Sequence, residues 1–129
     1  MLSVRVLLVE DVVVFRRVIS SILGKRRDLQ IVGEVADGLE VVRKAQELQP
    51  DLILLDIGLP VLNGIEAAHQ IRRLAPESKI LFLGHGSSAD VVQEALSFGA
   101  LGYVVKAHAG SDLLAAVDAV SLGSSLSAQ

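Results

Sequence analysis

The sequence predicts an α/β protein in which five strands alternate with five helices, a (βα)5 doubly wound five-stranded parallel sheet. Three observations carry this reading. Short β-branched apolar runs alternate with stripes of helical period along the chain. The strand runs, Leu52–Leu55 (LILL) above all, are apolar on both faces, as a sheet covered by helices on both sides requires. The 129 residues have the length of one domain, and 51% of them are hydrophobic, enough to fill a core.

Val4–Val9 (VRVLLV) reads as strand one. Phe15, Val18, Ile19, Ile22 and Leu23 then recur at helical spacing, and Gly24 with Lys25, Arg26 and Arg27 reads as a stop with charge favourable at a helix C-terminus. Leu29–Val35 (LQIVGEV) is strand two, and Val41, Val42, Ala45 and Leu48 form a second stripe closed by Pro50. Leu52–Leu55 is strand three; Ile65, Ala68, Ile71 and Leu74 mark a helix that ends before Pro76. Lys79–Leu83 (KILFL) is strand four, followed by a stripe of Val91 or Val92, Ala95 and Leu96 that stops at Gly99. Leu101–Val105 is strand five, and Leu113, Leu114, Val117 and Val120 make the last helix. Residues 1–123 are predicted as the domain and 124–129 as a polar tail or the start of a linker.

Composition narrows the function. A net charge of −3 and a pI near 5.5 argue against direct nucleic-acid contact by this domain. With no cysteine there is no disulfide framework, thiolate metal site or cysteine nucleophile. Mean hydropathy is high at +0.53, yet the apolar runs Val12–Phe15, Leu52–Leu55 and Ala100–Val105 fall far short of the ~20 residues of a membrane span. Glu10 and Asp11 interrupt any secretory apolar region, so a cytoplasmic location is expected.

In an open parallel sheet the site lies outside the carboxyl ends of the strands. Glu10 and Asp11 follow strand one, Asp56 follows strand three, and Lys106 follows strand five. Each has a plain reading alone: acidic residues at a helix start, a loop acid, a solvated lysine. Their joint placement points to one charged site. Clustered carboxylates call for a divalent cation, and magnesium suits one or two carboxylates, water and a phosphate oxygen. A carboxylate beside magnesium and lysine can form an acyl phosphate.

The chain resembles the receiver domains of bacterial two-component response regulators over essentially its whole length. The matching segments are Val6–Asp11, Pro50–Asp56, Leu59-Pro60, Asn63-Gly64, and Gly99-Ala100 through Tyr103–Lys106. Gly64–Ala68 and Lys106–Ala109 look like the branch that often carries a LuxR/NarL-type DNA-binding output domain. The resemblance implies a flavodoxin/CheY-like fold, with Asp56 as phosphoacceptor for a sensor histidine kinase or phosphotransfer protein. It implies Mg2+ held by Asp11, Asp56 and the Gly58 backbone carbonyl, with Glu10 acting through water. Lys106 would pair with the phosphoryl group, and Tyr103 would be the aromatic that swings inward on activation. On composition alone, Tyr103 is equally a half-buried strand residue. Leu59-Pro60 and Gly64 would shape the loop after Asp56. A homodimer is the family expectation, with Val91, Val92, Leu101 and Tyr103 either on the partner face or in ordinary core packing, which periodicity does not separate.

The chain departs from the family at the end of strand four. Receivers carry threonine or serine there, whose hydroxyl bonds the phosphoryl group; here the position is Gly84, followed by His85 and Gly86. Ser87 or Ser88 substitutes only if the loop runs differently. His85 and Ser87 are candidates for the site's rim. The missing hydroxyl forfeits a hydrogen bond of about 0.5–1.5 kcal/mol, and coupling to Tyr103 is expected to be weakened or rerouted. Alanine follows Lys106 where most receivers have proline, leaving the isomer of that bond open. His69 and His108 have no assigned role, and the histidines lack zinc-ligand spacing.

Two other readings compete. A receiver-like binding module working without phosphate draws on Gly84. A haloacid-dehalogenase-type phosphatase needs a second aspartate two residues after the first, where this chain has Gly58. The chain is therefore expected to be a signalling domain rather than an enzyme. A nucleotide-binding protein needs a glycine-rich turn where Glu10-Asp11-Val12-Val13 stands.

Overall fold

A computed structural model describes residues 3–86, 89–97 and 99–121. Five parallel strands alternate with helices: β1 (Val4–Val9), α1 (Val13–Leu23), β2 (Leu29–Val35), α2 (Gly38–Leu48), β3 (Leu52–Asp56), α3 (Gly64–Leu74), β4 (Lys79–Gly84), α4 (Ala89–Ser97), β5 (Gly102–Val105) and α5 (Ala109–Ser121). A short 3-10 turn, Lys106–His108, joins β5 to α5. The strand order is β2-β1-β3-β4-β5, so the chain reverses direction across the sheet between β1 and β3. That is the switch point of a doubly wound fold.

The alternation of strand side chains divides the core in two. Leu7, Val9, Ile53, Leu55, Ile80 and Phe82 pack toward α2 and α3 with Val41, Ala45, Ala67 and Ile71. Val6, Leu8, Leu52, Leu54, Leu81 and Leu83 pack toward α1 and α5 with Ile19, Leu23, Leu113 and Val117. Both sets are buried, which is why β3 reads as an unbroken apolar run.

Helix starts follow local chemistry. Asp37 caps α2 by accepting from the Glu40 N–H at 2.8 Å, and Asn63 caps α3 by accepting from the Glu66 N–H at 3.0 Å. Two expectations for α1 need correction. Val18 is 45% exposed, because the buried side of α1 is the narrow stripe Ile19, Ile22 and Leu23. α1 does stop at Gly24, its C-cap, as expected, but its last turn holds no basic residue. Arg26 instead clamps Asp28, at 2.9 and 2.8 Å, to Asp118 of α5, at 3.2 and 2.9 Å. Its guanidinium holds the Asp28 carboxyl below the usual range. Full opposite charges on Asp28 and on a neighbouring element are better partners for Arg26 than the α1 carbonyls.

Strand four runs one residue further than expected, through Gly84, and strand five starts one later, at Gly102. No cis peptide occurs among the described residues, so Lys106-Ala107 is trans. Ser87, Ser88 and the tail 124–129 lie outside the described residues, as does residue 98.

Candidate functional site

Parallel register brings the chemistry to one edge. Val9 of β1 lies beside Leu55 of β3, so Glu10 and Asp56 emerge side by side. Asp56 in turn lies beside Leu83 of β4, one residue before Gly84. Gly84 pairs with Val105 of β5, directly before Lys106. Four strand ends thus surround a cavity of about 340 Å³ lined by Asp11, Asp56, Gly58, Gly84, Tyr103 and Lys106 among others.

Glu10, Asp56 and Lys106 are buried, at 0%, 3% and 5% exposure. Burying three charges is tolerable only because they meet. Lys106 Nζ lies 2.7 Å from Glu10 Oε1 and 3.1 Å from Asp56 Oδ2. The Glu10 contact is short, and the Lys106 ammonium is the partner of the buried Oε1. The other oxygen of Glu10 accepts the Val12 N–H at 3.0 Å. Neither Glu10 nor Asp11 caps α1, whose N-cap is Val12, so the plain reading of the pair as helix-start acids does not hold.

Burial pushes the Asp56 carboxyl up to about 6, with the Glu10 charge adding to the rise; the Gly58 N–H at 3.0 Å and Lys106 act against it. Burial opposes the Lys106 ammonium, but close contact with Glu10 and the Asp56 charge outweigh it and hold its proton more firmly than usual. The Tyr103 phenol is raised by burial and then by the Asp56 charge.

Glu10, Asp11 and Asp56 each offer an oxygen, all within 4.8 Å of one another. Three hard oxygen donors this close together suit a magnesium ion with water completing its shell. Gly58 reaches the same cavity, with its N–H on Asp56 Oδ1. Gly64 allows α3 to start against the end of β3: a side chain there would collide with the Asp56 carbonyl and stand 2.8 Å from the Ile57 Cα. His85 is exposed and lines the mouth of the cavity.

Tyr103 is not splayed outward. Its ring lies over Gly84, and its hydroxyl donates to the Gly86 carbonyl at 2.7 Å. Two further contributors carry no sequence signal of their role. The Phe15 ring centroid sits 5.1 Å from Lys106 Nζ, a cation–π distance. Arg16 donates to the Glu10 carbonyl at 3.0 Å and pairs with Glu34 at 3.4 Å. In sequence Phe15 looks like core stripe and Arg16 like solvated surface; only their placement beside β1 distinguishes them.

A doubly wound parallel sheet with three carboxylates and a buried lysine at its switch point belongs to the CheY-like α/β class. Residues 6–118 match the response regulator receiver domain model, and the chain belongs to that family. The response regulator protein VraR of Staphylococcus aureus is 38% identical over 125 residues, 97% of this chain and 60% of that protein. The chain therefore spans about three fifths of the length of the curated relatives it matches. A LuxR-family two-component response regulator from Aurantimonas sp. SI85-9A1 superposes with a TM-score of 0.90 at 30% identity, covering 95% of this chain and 88% of that one. The response regulator domain of Thermotoga maritima CheB superposes with a TM-score of 0.86 at 32% identity, covering 93% and 97%. The chain is thus a receiver domain of two-component signalling, with LuxR- and NarL-type response regulators among its homologues. Among the described residues no helix is long and apolar enough to cross a membrane.

Proposed function

We propose that this domain is a magnesium-dependent phosphoacceptor that takes a phosphoryl group on Asp56 from a phosphohistidine of a sensor kinase or phosphotransfer protein. One observation carries the reading: Asp56 is a buried carboxylate at a cavity wall, held by Lys106 at 3.1 Å, with Glu10 and Asp11 within ligating distance. Asp56 forms the new P–O bond as the donor's P–N bond breaks, and the leaving imidazole keeps the electron pair and takes a proton. Magnesium would be held by Asp11, Asp56 and the Gly58 carbonyl, with Glu10 acting through water, and when bound would supply charge neutralisation for the phosphoryl oxygens. Lys106 contributes a fixed positive charge beside Asp56, already desolvated and oriented by Glu10 and Phe15. The Gly58 N–H fixes Asp56 Oδ1 and Lys106 fixes Oδ2, so the carboxylate is oriented by two partners before phosphoryl arrives.

The relatives' type supports a DNA-binding output domain in the natural protein, dimerisation of the receiver and a cytoplasmic location. Direct nucleic-acid contact by this acidic domain is not part of the reading. The alternative, a binding module that works without phosphate, draws support from Tyr103, which already lies inward over Gly84.

Intact-mass measurement after treatment with acetyl phosphate tests the proposal. The expected result is one phosphoryl mass on the wild type with magnesium, lost in Asp56→Asn and with a chelator. No adduct on the wild type would favour the binding module.

A further inference from the structure

We propose that the Tyr103 hydroxyl supplies the neutral hydrogen-bond donor to a phosphoryl group on Asp56, in place of a hydroxyl at position 84; this rests on Asp56 being the phosphoacceptor. Three independent features of the structure lead there. A Cβ built on Gly84 would fall on Tyr103 Oη and stand 2.8 Å from Cζ. The phenol oxygen therefore occupies the volume that a side chain at 84 would fill. Gly84 is itself one residue beyond Leu83, the β4 neighbour of Asp56, and lines the same cavity as Tyr103, Asp56 and Lys106. Finally, among the described residues the hydroxyl donates to the Gly86 carbonyl, in an exposed loop residue where water can replace it.

The geometry follows from the sheet. Tyr103 pairs with Phe82, two residues before Gly84, so its ring must run diagonally along β4 to reach the loop. A side chain at 84 would block that path; glycine leaves it open. Rotation of the O–H away from Gly86 toward a phosphoryl oxygen exchanges a neutral acceptor for a charged one, which strengthens the bond. The same rotation frees the Gly86 carbonyl. Phosphate is thus read out through the phenol itself, with no hydroxyl on β4.

The chain contains one tyrosine and no tryptophan, so tyrosine emission reports on Tyr103 alone. The test titrates the 129-residue chain with beryllofluoride and magnesium, following bound fluoride by fluorine NMR and Tyr103 by emission. Wild type is expected to change emission in step with fluoride binding, and Asp56→Asn to show neither. Tyr103→Phe keeps the ring and should bind about tenfold more weakly, the effect of one hydrogen bond to a charged acceptor. The double variant Gly84→Ser with Tyr103→Ala returns a hydroxyl to position 84 and should recover to within about threefold of wild type, which lost packing alone would not allow. Equal affinity in wild type and Tyr103→Phe, or saturation without any change in emission, overturns the proposal while leaving Asp56 as acceptor. Failure of fluoride to bind the wild type, with no acetyl phosphate adduct, overturns both.

Discussion

The two sides of the crevice are held by different means. At the ends of β1, β3 and β5, position is set by charge: Glu10, Asp56 and Lys106 are buried, and both carboxylates depend on the lysine between them. At the end of β4 there is no side chain, and position is set by shape: a phenol from β5 fills the place left by Gly84. Charge in a desolvated cluster is unforgiving of the loss of its cation, since removing Lys106 leaves two carboxylates buried together. A shape contact at an exposed loop gives way more easily. The rigid side is thus suited to chemistry and the soft side to reporting on it.

Lys106→Met puts the charged side to its hardest test. It leaves Glu10 and Asp56 buried without their cation and should cost about 2–4 kcal/mol in chemical denaturation. A loss below about 1 kcal/mol would show that mutual pairing does not hold that side. Gly84→Ala comes next, on the shape side. Its methyl competes with Tyr103 Oη, so a cost of about 1–3 kcal/mol is expected, together with greater quenching of tyrosine emission by a soluble quencher as the ring is displaced. An unchanged quenching profile would mean that the ring does not depend on glycine.

Asp56→Asn isolates the electrostatic contribution. The Asp56 carboxyl titrates at about 6 in the fold against 3.8 as the reference. Across that window the folded protein binds more protons than the unfolded chain, so stability falls as pH rises. The cost is fully present above about pH 7, and the neutral amide removes it. Without magnesium, Asp56→Asn should therefore be more stable than wild type by about 1–2 kcal/mol at about pH 7.5, after allowance for screening. Thermal melts should converge below about pH 4; a constant difference across the range would show that proton linkage at Asp56 is not the cause. The smallest effect is expected from Phe15→Leu, which keeps apolar bulk but loses the ring beside Lys106. A loss of about 0.5–1 kcal/mol is anticipated, and it should vanish in a Lys106→Met background if the contact is cation–π.

Much of the fold and most of the charged site are legible in the sequence. Leu52–Leu55 announces a strand buried on both faces because a central strand in a doubly wound sheet has no solvent side. Glu10, Asp11, Asp56 and Lys106 are legible as one site because they stand at strand ends, and parallel strands end on the same edge. Arg26 reads as a helix-end charge because its partner Asp118 is 92 residues away in sequence. Phe15 reads as core because a helical stripe records burial and not what lies above the ring. Ser87 lies outside the described residues, so its candidacy for the rim stands as an expectation.

Local pattern is enough to specify the alternation of elements, the edge that carries the charged residues and the lack of a hydroxyl at position 84. These follow from periodicity and from the rule that parallel strands share a polarity. Packing in three dimensions is needed to make Lys106 bridge Glu10 and Asp56, to set Phe15 beside that bridge, and to fill the space over Gly84 with Tyr103. Those contacts depend on strand order and register across the sheet, and on which way a long side chain turns among neighbours distant in the chain. Periodicity records only whether a residue is buried; the partner it meets is set by the assembled fold.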